Sequence, residues 1–89
     1  MEVILIRECG AEEDIAIAKS YSDAVDFLLK EYRLNNYWVW VEDDKCGYWK
    51  NPPLTPDIIK EMYAWGIKKF NEVYDGSFEL VPYELYEKK

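Results

Sequence analysis

The chain is expected to form one small α+β domain, a mainly antiparallel sheet with two helices in the order β-β-α-β-(β)-α-β. Three observations predict this. Short β-branched or alternating runs begin and end the chain and recur in its middle. Two longer stretches carry apolar residues at helical spacing. Thr55-Pro56-Asp57 and Asp75-Gly76 bracket the second stretch with a start and a stop signal. Residues 1–89 suffice for one domain. A chain this short buries only about 60–65% of its extended surface, so its core is thin. Four tryptophans, eight tyrosines and three phenylalanines compensate, since one buried aromatic removes about 150–250 Å² from water.

Val3-Ile4-Leu5-Ile6 is short, apolar and mostly β-branched. It predicts an inner strand over 3–8, covered on both faces. After a polar turn, Ile15-Ala16-Ile17-Ala18 predicts a strand over 15–19, with both isoleucines on one face and the alanines on the other. A short loop makes a hairpin with the first strand the cheapest pairing. Ser22 is the expected cap of the first helix, and Asp23 suits its positive first turn. Tyr21, Val25, Leu28, Leu29 and Tyr32 then fall on one helical stripe, which Asn35-Asn36 ends.

Alternation over 37–42 predicts a strand with Tyr37, Val39 and Val41 on one side and Trp38 and Trp40 on the other. Asp43 to Gly47 is a turn, and Tyr48-Trp49-Lys50 returns as a short strand. Asn51-Pro52-Pro53 fits neither a helix nor a central strand. Thr55 caps the second helix, with Pro56 at its first position. The helix runs to about Tyr74 with Ile59, Met62, Tyr63, Gly66, Phe70 and Val73 as its apolar stripe. Gly66 inside a helix costs about 1 kcal/mol against Ala, which points to a close backbone approach there. The last strand is expected over 77–86. Phe78 and Leu80 alternate in one phase and Val81, Tyr83 and Leu85 in the other, so a bulge or bend is expected at Pro82. A proline also marks an edge strand, open to strand addition by a partner.

Composition narrows the function. The net charge is −7 and the chain contains no His. Phosphate binding relies on Lys and Arg releasing counterions, so DNA, RNA and anionic lipid are poor ligands. A basic protein suits the charge. No segment is long and apolar enough to span a membrane, the N-terminal run lacks the features of a signal peptide, and two cysteines do not make a disulfide scaffold. Cytoplasmic location with free thiols at Cys9 and Cys46 is the expectation.

No catalytic or metal constellation stands out. Glu12-Glu13-Asp14 and Glu42-Asp43-Asp44 lack the alternating ligands and the bidentate Glu of a Ca²⁺ loop. Zinc would lack ligands. Without His, the usual proton-transfer residue is missing. The chain is therefore read as a non-enzymatic binder with no cofactor and no metal. Its candidate partner-binding residues are Trp38, Trp40, Glu42, Asp43, Asp44, Tyr48 and Trp49, because Trp and Tyr anchor protein interfaces. The alternative is a small structural or regulatory domain that homodimerises through its aromatic strand.

The segments Glu2–Glu8, Tyr21–Leu28, Asp75–Leu80 and Tyr83–Glu87 together resemble, in overall style and over most of the chain, the small acidic accessory proteins carried by bacteriophages and other mobile elements of low-GC Gram-positive bacteria. That resemblance implies an anti-defence role, such as inhibition of a CRISPR or restriction nuclease. Acidic residues of the 42–44 turn would then mimic phosphates for a basic nucleic-acid-binding host protein.

Overall fold

The structure is a computed structural model, and it describes residues 1–10 and 14–85. Seven elements follow the expected order: β1 (Glu2–Glu8), β2 (Asp14–Ala18), α1 (Tyr21–Lys30), β3 (Val39–Glu42), β4 (Gly47–Lys50), α2 (Pro56–Val73) and β5 (Phe78–Glu84). All strand pairing is antiparallel. It is divided between two sheets. β2-β1-β5 forms a three-stranded sheet, and β3-β4 forms a separate two-stranded one. The expected triplet residues Glu12 and Glu13, and Tyr86 and Glu87 at the chain's end, lie outside the described residues.

β1 is central, as its apolar run predicts. Ile4 and Ile6 face the helices, opposite Ala18 and Ala16 on β2 and Pro82 and Leu80 on β5. The core joins Ile4, Ile6, Ala18 and Leu80 to Ala24, Val25 and Leu28 of α1 and to Met62, Phe70, Val73 and Tyr74. Much of its area is aromatic. Tyr21, Phe70, Tyr74, Phe78 and Tyr32 form a relay of edge-on and tilted ring pairs with centroids 4.7–6.4 Å apart. Such pairs add about 0.5–1.5 kcal/mol each beyond their area.

Several local expectations are corrected. Ser20, not Ser22, caps α1: its hydroxyl accepts from the Asp23 N–H at 3.2 Å. The helix ends at Lys30, before Asn35, and the chain turns through Arg33 at φ +50°. Tyr32 therefore leaves the helical stripe and is exposed. On β2 the alanines face the core and Ile17 is 63% exposed. A register shift between Ile6 and Arg7 lets Ile15 join Ala16 on the core side, because a bulge sets two residues against one. β5 pairs with β1 in unbroken register, so no bulge falls at Pro82. The two phases of β5 are two apolar faces.

β5 is an edge strand, but its edge is occupied. The Asn71 side chain donates to the Leu80 carbonyl at 3.0 Å and accepts from the Leu80 N–H at 2.8 Å. The Phe78 N–H donates to the Tyr74 carbonyl. Backbone groups alternate in direction along a strand, so Pro82 places its missing donor on this same outer side. Strand addition on β5 would have to displace Asn71, which counts against that expectation.

Gly66 also has a different role from the one expected. A Cβ at this position would meet nothing within 4 Å, so no close approach requires glycine. Its backbone is at φ +83°, ψ 172°, and α2 breaks there into two segments. Only glycine occupies that region at low cost. Tyr21 fills the break. Its hydroxyl donates to the Met62 carbonyl at 2.5 Å, and the Gly66 N–H is directed at the Tyr21 hydroxyl oxygen. A side chain from α1 thus spans the donor and acceptor that an unbroken helix would join directly.

Between α1 and α2 the chain leaves the body as an arm over residues 35–54. The Leu54 N–H donates to the Asn35 carbonyl at 2.7 Å and the Tyr37 N–H to the Pro52 carbonyl at 3.2 Å. The Asn36 and Asn51 amides each donate to a carbonyl across the arm. β3 and β4 continue this ladder to the Asp43–Cys46 turn. Tyr74, 2% exposed at the end of α2, ties the base to the body by donating to the Asn36 carbonyl at 2.9 Å. The molecule is elongated, with extents of 59 × 26 × 19 Å and a radius of gyration of 14.7 Å. A compact chain of this length would have about 12 Å.

Candidate functional site

Antiparallel pairing decides which arm residues share a face. Trp40 lies opposite Trp49, Val41 opposite Tyr48, and Glu42 opposite Gly47. Side chains alternate, so Trp38, Trp40, Trp49 and Gly47 share one face. Val39, Val41, Tyr48 and Lys50 share the other. The tryptophan face turns toward α2 and encloses a groove of about 510 Å³ with it. Ile58, Glu61, Trp65, Lys69 and Glu72 form the helical wall. Ile58, Glu61 and Trp65 precede the break at Gly66 and Lys69 and Glu72 follow it, so both segments of α2 contribute to this wall. All four tryptophans of the chain therefore line a single groove. A smaller concavity of about 380 Å³ adjoins it, bounded by Trp38, Trp49, Glu72, Val73 and Asp75.

The arm's tip is held by a small set of contacts. Trp40 and Trp49 meet edge to face, with centroids 5.2 Å apart and planes at 69°. The Trp40 indole N–H points to Glu42 Oε1 at 3.4 Å. Its ring lies directly over Gly47, where a Cβ would fall 2.1 Å from Trp40 Cζ2. Glycine is required there, because any side chain would lift the indole off the strand. Asp43 organises the turn by accepting from the Lys45 and Cys46 N–H groups at 2.8 and 3.4 Å. Its carboxylate is thus committed to the fold, whereas Asp44 is exposed at the tip.

The structure brings together Trp38, Trp40, Glu42 and Trp49 of the sequence-derived set. Tyr48 is on the opposite face, with Lys50 Nζ 5.6 Å from its ring centroid. Sequence reading missed Trp65, Glu61, Lys69 and Glu72. Their signal was a second helical stripe at 58, 61, 65, 69 and 72, which carries a tryptophan among charges. Trp40 is 47% and Trp49 56% exposed, well outside the core. Cys9 and Cys46 are exposed free thiols. Among the described residues no three acidic or thiol groups converge as metal ligands.

The strongest perturbations of protonation lie away from the groove. Burial pushes the Tyr21 phenol up to about 12, partly opposed by the Gly66 N–H. Burial likewise raises Tyr74, with Tyr21 and Tyr37 adding to the effect. Tyr63 is raised by its hydrogen bond to Asp26, which joins the two helices on their outer side. No helix among the described residues is long and apolar enough to cross a membrane. No protein-family model, curated protein or solved structure matches the chain.

Proposed function

We propose that the chain is a non-enzymatic binding module whose arm and α2 together form the docking surface for a basic protein. The observation that carries this reading is the convergence of Trp38, Trp40, Trp49 and Trp65 on one open groove with Glu61 and Glu72 on its wall. Exposed tryptophans in a shaped concavity are the residues that dominate interface energetics. A net charge of −7 favours a partner of opposite sign. The groups with the largest protonation shifts sit in the body, whereas catalytic sites gather such groups in their clefts.

The resemblance to phage accessory proteins makes a nucleic-acid-binding host protein, such as a defence nuclease, the first partner class to test. In that setting the chain acts as an inhibitor by occupying the partner's basic surface. Asp44 is exposed at the tip to present charge, and Glu42 adds to it beside the Trp40 indole N–H. Asp43 contributes less, since its carboxylate is engaged in the turn.

The test is capture of partners from the native host, followed by affinity measurement on the purified pair. Trp40→Ala should weaken binding by about 2 kcal/mol or more, some thirtyfold, with an unchanged far-UV spectrum. Equal affinity for the wild type and Trp40→Ala would rule the groove out. Sedimentation of the chain alone addresses the homodimer alternative. A dimer dissociated by Trp40→Ala would assign the aromatic face to self-association instead.

A further inference from the structure

We infer that the tryptophan groove seats an arginine side chain of the partner, its guanidinium stacked on indole and hydrogen-bonded to a glutamate of the α2 wall. This rests on the docking reading above and specifies its chemistry. Indole is the best aromatic surface for a cation, because its ring face carries the negative end of the quadrupole. Here four indoles line one concavity. Trp40 and Trp49 stand at 69° to each other, so the groove presents a ring face and a ring edge side by side.

The charge on the wall has the matching sign. Glu61 precedes Trp65 by one turn of α2, Glu72 follows beyond Lys69, and Asp75 continues the acid into the adjoining concavity, against the single cation Lys69. The chain's own cation–π contact, Lys50 over Tyr48, is on the arm's other face. Among the described residues no lysine or arginine of the chain covers an indole. The aromatic faces and the carboxylates are therefore both available to an incoming cation.

Shape selects arginine over other cations. The groove is open along one side, unlike the closed box that surrounds a quaternary ammonium. A planar guanidinium enters such a slot edgewise, stacks on a ring, and still offers paired donors in its plane to a carboxylate. Lysine brings a compact, strongly hydrated charge that gains less from stacking.

The test titrates the full chain with three five-residue peptides that differ only at the central position: arginine, lysine or citrulline. Citrulline keeps the shape of arginine and removes its charge. The readout is the four indole N–H signals in a ¹⁵N correlation spectrum. The arginine peptide should shift these signals saturably and bind about tenfold more tightly than the citrulline peptide, as expected when a charge-assisted hydrogen bond is lost. Glu61→Gln with Glu72→Gln should remove most of that difference. Both positions are exposed, so the fold is unaffected.

Equal binding of arginine and citrulline peptides, or of arginine and lysine peptides, would overturn the assignment. So would shifts confined to the backbone of residues 42–44, which would mark simple attraction to the acidic tip. The docking reading fails by a separate result, equal partner affinity of the wild type and Trp40→Ala. If Trp40→Ala abolishes partner binding while the arginine peptide leaves the indoles unmoved, the docking surface stands and the arginine assignment falls.

Discussion

Tyr74 and Trp40 are both large aromatic residues with a polar group on the ring, yet one is 2% exposed and the other 47%. The body gathers its aromatics inward. Tyr74 contacts Phe70 and Phe78, and its hydroxyl reaches a backbone carbonyl. The arm turns its aromatics outward, pairing Trp40 with Trp49 across a two-stranded sheet with no third strand. A two-stranded hairpin is marginal by itself in water. This one persists because its base is joined to the body and its tip is organised by Asp43 and Gly47. The contrast shows how a chain of 89 residues can keep a sealed core and still expose three of its four tryptophans to at least a third of their area. The body holds the sealed core, and the arm carries three of the four tryptophans.

Truncating one residue in each region tests that division most strongly. Leu28 is fully buried, and Leu28→Ala should cost about 2–5 kcal/mol through lost transfer energy and the cavity left behind. Trp49→Ala should cost only about 1 kcal/mol, the value of an exposed edge-to-face pair. Urea melts of the two variants would show it. Comparable losses would mean that the arm is part of the cooperative core.

The junction between the regions is the next point to probe. Tyr74→Phe removes the hydroxyl that reaches Asn36 and should cost about 1 kcal/mol, because a part-buried carbonyl loses its donor. Amide exchange distinguishes a local effect from a global one. The Tyr37 and Leu54 amides at the arm's base should lose protection more than those of β1. A uniform loss would show that arm and body open together.

A smaller effect appears in alkali. Folding raises the Tyr21 phenol from 10.0 to about 12, and Tyr74 is raised as well. The native state holds these protons to a higher pH than the unfolded chain. The stability they contribute is complete below pH 10 and is lost as the pH climbs through about 12. The urea midpoint should be level below pH 10 and fall above it, and Tyr21→Phe should soften the fall. A midpoint unchanged to pH 12 would contradict the burial of these hydroxyls.

What the sequence disclosed was what local chemistry determines. Thr55-Pro56-Asp57 starts α2 where expected, since cap, proline and acid act within one turn. Alternation over 38–41 sets the tryptophans on one face, since strand geometry alone dictates it. Ser20 was also readable, as Ser20-Tyr21-Ser22-Asp23 has the spacing of a helix-capping pair. The break at Gly66 was not, because its cause is a hydroxyl 45 positions earlier in the chain. Nor was the groove. Whether the tryptophan face meets α2 or open solvent depends on how the arm leaves the body, and no run of residues within the arm encodes that. Trp65 stands beside the core stripe rather than in it, and its partners are assembled only by the tertiary fold.

The arm begins and ends at nearly one point, where Leu54 and Asn35 share a hydrogen bond of 2.7 Å. The body therefore sees a junction and not a length. Lengthening such an excursion adds little closure cost, about 0.6 kcal/mol for each doubling. A lineage could extend, shorten or rewrite residues 38–51 while the sheet and helices kept their contacts. Selection on the arm and selection on the body could then proceed at different rates. The same geometry makes the junction a practical grafting point, where a foreign hairpin could be installed between Asn36 and Pro53 with the body left as it is.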